Sequence, residues 1–185
     1  MRPTDSLRED HQVILRMCKV LNSLANKIED GENIAAETLK DATVFIKNFA
    51  DKCHHGKEEE LLYPRAGDRG VPIEGGPIAV MLIEHDQGRE CTRNMAAAAE
   101  ACAAGDEEAR LAFAGNARSY AELLVPHIDK EDNILYPMCD EVLTEADQVD
   151  LETKFDEVEK ERMGEEKHHE YINLVEVLES EYVAV

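Results

Sequence analysis

Two stretches of the chain carry one polar signature. The first reads His54-His55-Gly56-Lys57-Glu58-Glu59-Glu60-Leu61-Leu62-Tyr63-Pro64, the second His127-Ile128-Asp129-Lys130-Glu131-Asp132-Asn133-Ile134-Leu135-Tyr136-Pro137. Behind the leading His, each places Lys at +3, Glu at +4, an acid at +5, Leu at +8, Tyr at +9 and Pro at +10. His and Glu four apart lie one above the other on a helix face, where imidazole and carboxylate can grip one metal ion. A lone pair of this kind is ordinary on a helix surface; two with matching tails form an internal repeat with chemical content.

Two further histidines sit inside apolar stripes. His11 falls in the series Leu7, His11, Ile14, Cys18, Leu21, Ala25 and Ile28, and His85 in the series Met81, His85, Gly88, Thr92, Met95 and Ala99. His54 and Glu58 continue a line through Phe45 or Ile46, Phe49 or Ala50, and Cys53 or His54 toward Leu61; His127 and Glu131 continue one from Tyr120 and Leu124 to Ile134 or Leu135. All six should therefore face inward. A buried carboxylate without a partner costs several kcal/mol, a cost that a cation removes. Four imidazoles and two carboxylates exceed what one tetrahedral zinc needs and suit two transition metals sharing the carboxylates. Imidazole accepts iron, copper, nickel or zinc, and bridging carboxylates tilt the choice to iron or manganese. His55 and Glu59 form an alternative pair shifted by one residue. The second repeat has Ile128 and Asp132 there, so the repeat favours His54 and Glu58 and predicts that His55 and Glu59 are dispensable for metal.

Four main helices must position these groups. The first opens near Ser6, where Ser6-Leu7-Arg8-Glu9 fits a capping box, and ends at Gly31. The second runs from about Asn33 to Tyr63, the third from about Ile78 to Ala104, and the fourth from Asp106 to about Tyr136. Short connections favour antiparallel neighbours. An up-down-up-down four-helix bundle brings all four histidines to one end, at depths of roughly 8–15 Å along their helices. The Gly- and Pro-rich segment from Pro64 to Pro77 reads as a loop over that end, a candidate lid. Pro126 predicts a kink or bulge beside His127. Thr144 opens an acidic amphipathic tail over residues 145–162; Gly164 interrupts it and a last helix follows to about Tyr182. Residues 1–140 thus form the all-α bundle and 141–185 a helical extension packed on the same domain.

Composition narrows the function classes. The 185 residues are 43% hydrophobic, enough for one real core. A formal charge of -21 argues against a nucleic-acid partner, whose phosphates need a basic surface. No long apolar run and no charged-then-apolar leader occurs, which predicts neither membrane spanning nor secretion and points to the cytoplasm. Five cysteines stand singly, with none at ligand spacing, and read as small buried hydrophobes.

His11, His54-x-x-x-Glu58, His85 and His127-x-x-x-Glu131, with Leu-Tyr-Pro closing both repeats, resemble the hemerythrin-like HHE cation-binding family over roughly residues 6–138. The resemblance implies an oxo- or hydroxo-bridged non-haem di-iron centre on those six residues, with O2, NO or peroxide as small ligands. Its roles would be binding or reducing them, or non-catalytic sensing, oxygen storage or iron buffering. Oxygen-carrying hemerythrins place a further His one turn after the third-helix His, where this chain has Arg89. His168 or His169, in a tail that resembles an extension of some members, could supply the missing nitrogen. Small residues at Gly88 and Thr92 could leave a metal position open, or could serve close helix packing.

Overall fold

The computed structural model describes residues 2–183. Among the described residues there are six helices and no strand. Helix α1 runs Pro3–Glu29, α2 over residues 36–68, α3 Pro77–Ala103, α4 over residues 109–142, α5 Glu145–Arg162 and α6 Glu165–Tyr182. Helices α1 to α4 form the bundle; α6 lies along α1, and α5 covers the middle of α2. No helix among the described residues is long and apolar enough to cross a membrane.

Local chemistry sets the ends. The Asp5 carboxylate accepts from the Arg2 backbone N–H (3.0 Å), so α1 starts before the Ser6 box that the sequence suggests. Gly31, at a φ of 85° that side chains rarely adopt, ends it. At α5 the Thr144 hydroxyl accepts from the Asp147 N–H, and the Asp147 carboxylate accepts from the Thr144 N–H, a reciprocal cap.

Helices α2 and α4 depart from ideal geometry. Residues Ile46–His55 and Glu58–Leu62 in α2, and Glu131–Leu135 in α4, are π-helical, bonded i→i+5. The wide stretch over Ile46–His55 explains why both members of each ambiguous pair, Phe45 and Ile46, Phe49 and Ala50, Cys53 and His54, are buried. Pro64 and Pro137 follow the other two wide turns, at the start of resumed α-helix. A missing N–H is tolerated there, and so α2 continues to Asp68 and α4 to Val142, beyond the ends expected at Tyr63 and Tyr136. Pro126 sits in uninterrupted α-helix; the irregularity expected beside His127 lies at Glu131–Leu135 instead.

The apolar interior is in two parts. A large cluster includes Leu21, Leu24, Phe45, Phe49, Met95, Phe113 and Leu124. A smaller one gathers Leu7, Leu62, Tyr63, Val71, Leu135, Tyr136, Leu151 and Phe155. Along every bundle helix the candidate ligands lie between the two: His11 between Leu7 and Ile14, His54 and Glu58 between Ala50 and Leu62, His85 between Met81 and Met95, His127 and Glu131 between Leu124 and Leu135. The expected Pro64–Pro77 loop shortens to the residues between Asp68 and Pro77, with Val71 inserted in the smaller cluster. Hydrocarbon, with α5 behind it, closes that end of the bundle.

The extension is fastened by carboxylates. Asp147 accepts from Arg65 (2.8 Å) and Arg69 (2.8 Å); Glu159 pairs with Lys57 (3.0 Å) and His168 (2.8 Å). Arg162 donates to the Lys52 carbonyl (2.8 Å), on an approach that only a glycine at position 56 leaves open. Leu151 and Phe155 enter the smaller cluster, Val175 and Leu178 the larger. The hydrogen bonds from Arg69 and Thr144 hold Asp147 below the usual carboxylate range, and His168 with Lys57 brings Glu159 from 4.5 down to about 2. A carboxylate with a depressed folded pKa stabilises above its unfolded value and loses that contribution as pH falls. Amide exchange over residues 145–182 should therefore accelerate relative to α3 as pH drops from about 4.5 to 2, beyond the intrinsic rate change. Equal acceleration in both regions would show that these carboxylates do not fasten the extension.

Candidate metal centre

The polar layer between the clusters holds His11, His54, Glu58, His85, His127 and Glu131, each 0–1% exposed. The four imidazoles are oriented alike. His11 Nδ1 donates to Asp132 Oδ1 (2.8 Å), His54 Nδ1 to Asp10 Oδ2 (3.3 Å), His85 Nδ1 to Glu59 Oε1 (2.6 Å) and His127 Nδ1 to Glu84 Oε2 (2.7 Å). Every outer nitrogen is thus committed to a carboxylate, and every Nε2 turns inward. This is how metal-ligating histidines are fixed in tautomer and direction.

The inner face places like against like. His85 Nε2 and His127 Nε2 stand 3.1 Å apart. With both Nδ1 atoms carrying hydrogen toward carboxylates, two lone pairs meet unless a proton or metal cation lies between them. Glu58 Oε2 and Glu131 Oε2 are buried and have no hydrogen-bond partner. Glu131 addresses His11 through Oε2 (3.2 Å) and His127 through Oε1 (3.3 Å); Glu58 Oε2 stands 3.5 Å from His85 Nε2 and 3.7 Å from His54 Nε2. Each carboxylate therefore spans between histidines of different helices.

Two groups of candidate ligand atoms result. His11, His54, Glu58 and Glu131 each offer one atom within 4.8 Å of the others, and so do His55, His85 and His127. Ligand atoms sharing one ion at metal–nitrogen bonds of about 2.0–2.1 Å stand roughly 3–4 Å apart, and the separations here, from 3.1 Å to 3.7 Å, lie in that range. The orphaned carboxylate oxygens, the inward Nε2 atoms and this nitrogen–oxygen donor set fit transition-metal ions.

The field of the buried carboxylates is strong. Burial opposes charge on His11 and His85. Hydrogen bonds to Asp132 and Glu131 in the first case, and to Glu131 and Glu59 in the second, nevertheless carry both pKa values up to about 10. Burial and the neighbouring Glu131 push Glu58 above the usual carboxylate range, while the close approach of His11, His127 and His85 overcomes burial and holds Glu131 low. Burial, aided by the charge of His11, takes His54 down to about 4. The site attracts positive charge to its centre.

The family model for the hemerythrin HHE cation-binding domain matches residues 2–139. The chain belongs to this family. It is also similar to uncharacterized proteins of Mycobacterium bovis and of two Mycobacterium tuberculosis strains, at 26% identity over 163 residues. That similarity covers 88% of this chain and 63% of the relatives, so the chain spans under two thirds of their length.

The HHE domain uses each repeated position of its two motifs in the same way. The +5 acids, Glu59 and Asp132, orient the histidines of the partner helices, His85 and His11. The +3 lysines pair with the acids that precede those histidines: Lys57 with Asp10 (3.4 Å), Lys130 with Glu84. Those acids in turn hold His54 and His127. The +9 tyrosines, read from sequence as helix-end packing, point at the two buried carboxylates. Tyr63 donates to Glu58 Oε1 (3.0 Å) and Glu131 Oε1 (2.6 Å), and Tyr136 to Glu58 Oε1 (2.6 Å). Burial, then the carboxylates, push both hydroxyls far up in pKa, so they remain donors. The wide turns produce this register: the N–H of each tyrosine bonds the carbonyl of the glutamate five residues before it.

Other expectations resolve differently. His168 is tied to Glu159 (2.8 Å) with its ring on Phe49 at 5.3 Å, so it does not reach the centre. Arg89 turns away from the ligands, donating to Asp51 (2.7 Å) and Glu59 (2.8 Å). A Cβ at Gly88 would stand in ordinary contact with Leu124 and Tyr120 at 3.6 Å, so this position faces α4. His55, set aside in favour of His54, is buried beside it. A cavity of about 180 Å³ is lined by Thr43, Asp51, Arg89 and Thr92 among others, with Asp51 3.5 Å from His55.

Replacing an orienting carboxylate should loosen metal without abolishing it. Glu59→Gln and Asp132→Asn are expected to lower metal affinity about 10- to 100-fold, the range for such partners, as read by competition with a chelator. Glu58→Ala and Glu131→Ala should eliminate high-affinity binding. Unchanged affinity in Glu59→Gln would contradict the positioning role and restore the view that Glu59 is dispensable.

Proposed function

We propose that this HHE domain holds a carboxylate-bridged pair of iron ions on His11, His54, Glu58, His85, His127 and Glu131 and that it binds or reduces O2, NO or peroxide. The observation that supports this most is the common inward aim of four Nε2 atoms around two buried carboxylates with orphaned oxygens. Bridging carboxylates with imidazoles favour iron or manganese over zinc or copper. When bound, the two irons would supply one-electron steps and open positions for a diatomic ligand or peroxide.

The residues around them define what can react. Apolar clusters on both sides and the near-complete burial of all six residues favour very small molecules as ligands. Tyr63 Oη and Tyr136 Oη, held as donors, fix the bridging carboxylates and stand as proton-bearing groups within reach of the centre. Asp132, Asp10, Glu59 and Glu84 hold the imidazoles as Nδ1–H tautomers and raise their basicity as ligands.

Aerobically purified full-length protein should contain two irons per chain and absorb in the near ultraviolet as a bridged diferric centre does. One tetrahedral zinc, or no metal after iron-replete expression, would sink the reading. Turnover of peroxide or NO by the loaded protein separates a catalyst from a sensor, store or iron buffer, for which binding occurs without turnover.

A further inference from the structure

The two repeats match around the centre except at one position. Residue +1 of the second motif is Ile128, buried in the larger hydrocarbon cluster. Residue +1 of the first is His55, only 3% exposed. Its ring stacks on that of His85, with centroids 3.8 Å apart and an interplanar angle of 14°, and lies 6.2 Å from the His127 ring at 72°. Its candidate ligand atom lies within 4.8 Å of those of His85 and His127.

His55 also repeats the orientation of the four histidines already described, at longer range. Its Nδ1 faces the Asp51 carboxylate at 3.5 Å and has no hydrogen-bond partner. Arg89 holds that carboxylate through Nε (2.7 Å) and holds Glu59, the partner of His85, through Nη2 (2.8 Å). One guanidinium therefore fixes the two carboxylates that face the outer edges of two stacked imidazoles. Packing alone calls for hydrocarbon at this position, as Ile128 illustrates, and gives no reason for a buried imidazole stacked on His85 and edge-on to His127.

We propose that His55 is a metal ligand, donating the lone pair of Nε2 to the metal position shared by His85 and His127, and that Asp51 and Arg89 position it. The centre is then unequal: three imidazoles on one side, and His11 with His54 on the other, bridged by Glu58 and Glu131. Arg89 occupies a helix position from which a histidine could ligate, and the nitrogen comes from the adjacent helix. The assignment rests on the two-metal reading above, with one ligand added to it.

Cobalt(II) titration of the full-length apo-protein tests it, with visible ligand-field absorption reporting coordination at each position. Wild type should take two equivalents. His55→Gly should keep one tight equivalent and bind the second about tenfold or more weakly, and added imidazole should restore the second with its ligand-field bands. Should the glycine variant fail to fold by circular dichroism, His55→Gln preserves the volume and is expected to show the same selective loss. Two equivalents with wild-type affinity and spectra in either variant would overturn the assignment while leaving the di-metal reading intact. Loss of the second equivalent that imidazole does not restore in a folded His55→Gly protein would also overturn it, marking His55 as structural. A wild-type protein that binds no cobalt or iron would sink both readings.

Discussion

Two carboxylates, Glu58 and Glu131, lie fully buried in a layer with hydrocarbon above and below. Charge in such a place is costly unless opposing charge and hydrogen bonds accompany it. Every group around them answers that constraint. Two tyrosine hydroxyls donate to them, four inward imidazoles surround them, and an outer ring of carboxylates keeps those imidazoles correctly turned. The outer ring is balanced by Lys57, Lys130, Arg8 and Arg89. Charge alternates outward from the centre, so no layer is left to neutralise itself.

The helices bend their own geometry to satisfy it. A regular α-helix carries residues +4 and +9 about 140° apart, so the glutamate and tyrosine of one repeat could not meet. With i→i+5 bonding over Glu58–Leu62 and Glu131–Leu135, Tyr63 reaches Glu58 of its own repeat and Glu131 of the other, and Tyr136 reaches Glu58. Wide turns of this kind are uncommon and recur at functional sites. Here the departure has a visible return, since each brings a hydroxyl onto an otherwise underpartnered carboxylate.

This also accounts for what could be read from the sequence. The six donors, the bundle and the break at Gly164 follow from spacing that a 3.6-residue period preserves. His11 and His85 lie on such stripes in α1 and α3, which are regular throughout. What was misplaced lies in or beside the widened stretches: the ends of α2 and α4, and the tyrosines. The orienting acids escaped for another reason. Asp10 and Glu84 stand beside the buried His11 and His85, where a charged residue before a buried one looks like an ordinary solvated face. The clue was internal, because Lys at +3, an acid at +5 and Tyr at +9 recur in both motifs, and packing needs none of them.

The inner layer approximates a two-fold arrangement, but the outside does not. Lys130 meets Glu84 alone among the bridges on its side, whereas Lys57, 1% exposed, is clamped between Asp10 and Glu159 of the extension. A line of contacts thus runs from His54 through Asp10, Lys57 and Glu159 to His168 on α6. Arg162, one turn beyond Glu159 on α5, attaches that helix to the widened stretch at Lys52. The extension covers the half of the bundle whose helix is the more irregular, and it satisfies there a backbone carbonyl and a buried ammonium. That half carries His54 and His55 together, so the added helices stabilise the segment whose geometry the centre distorts most.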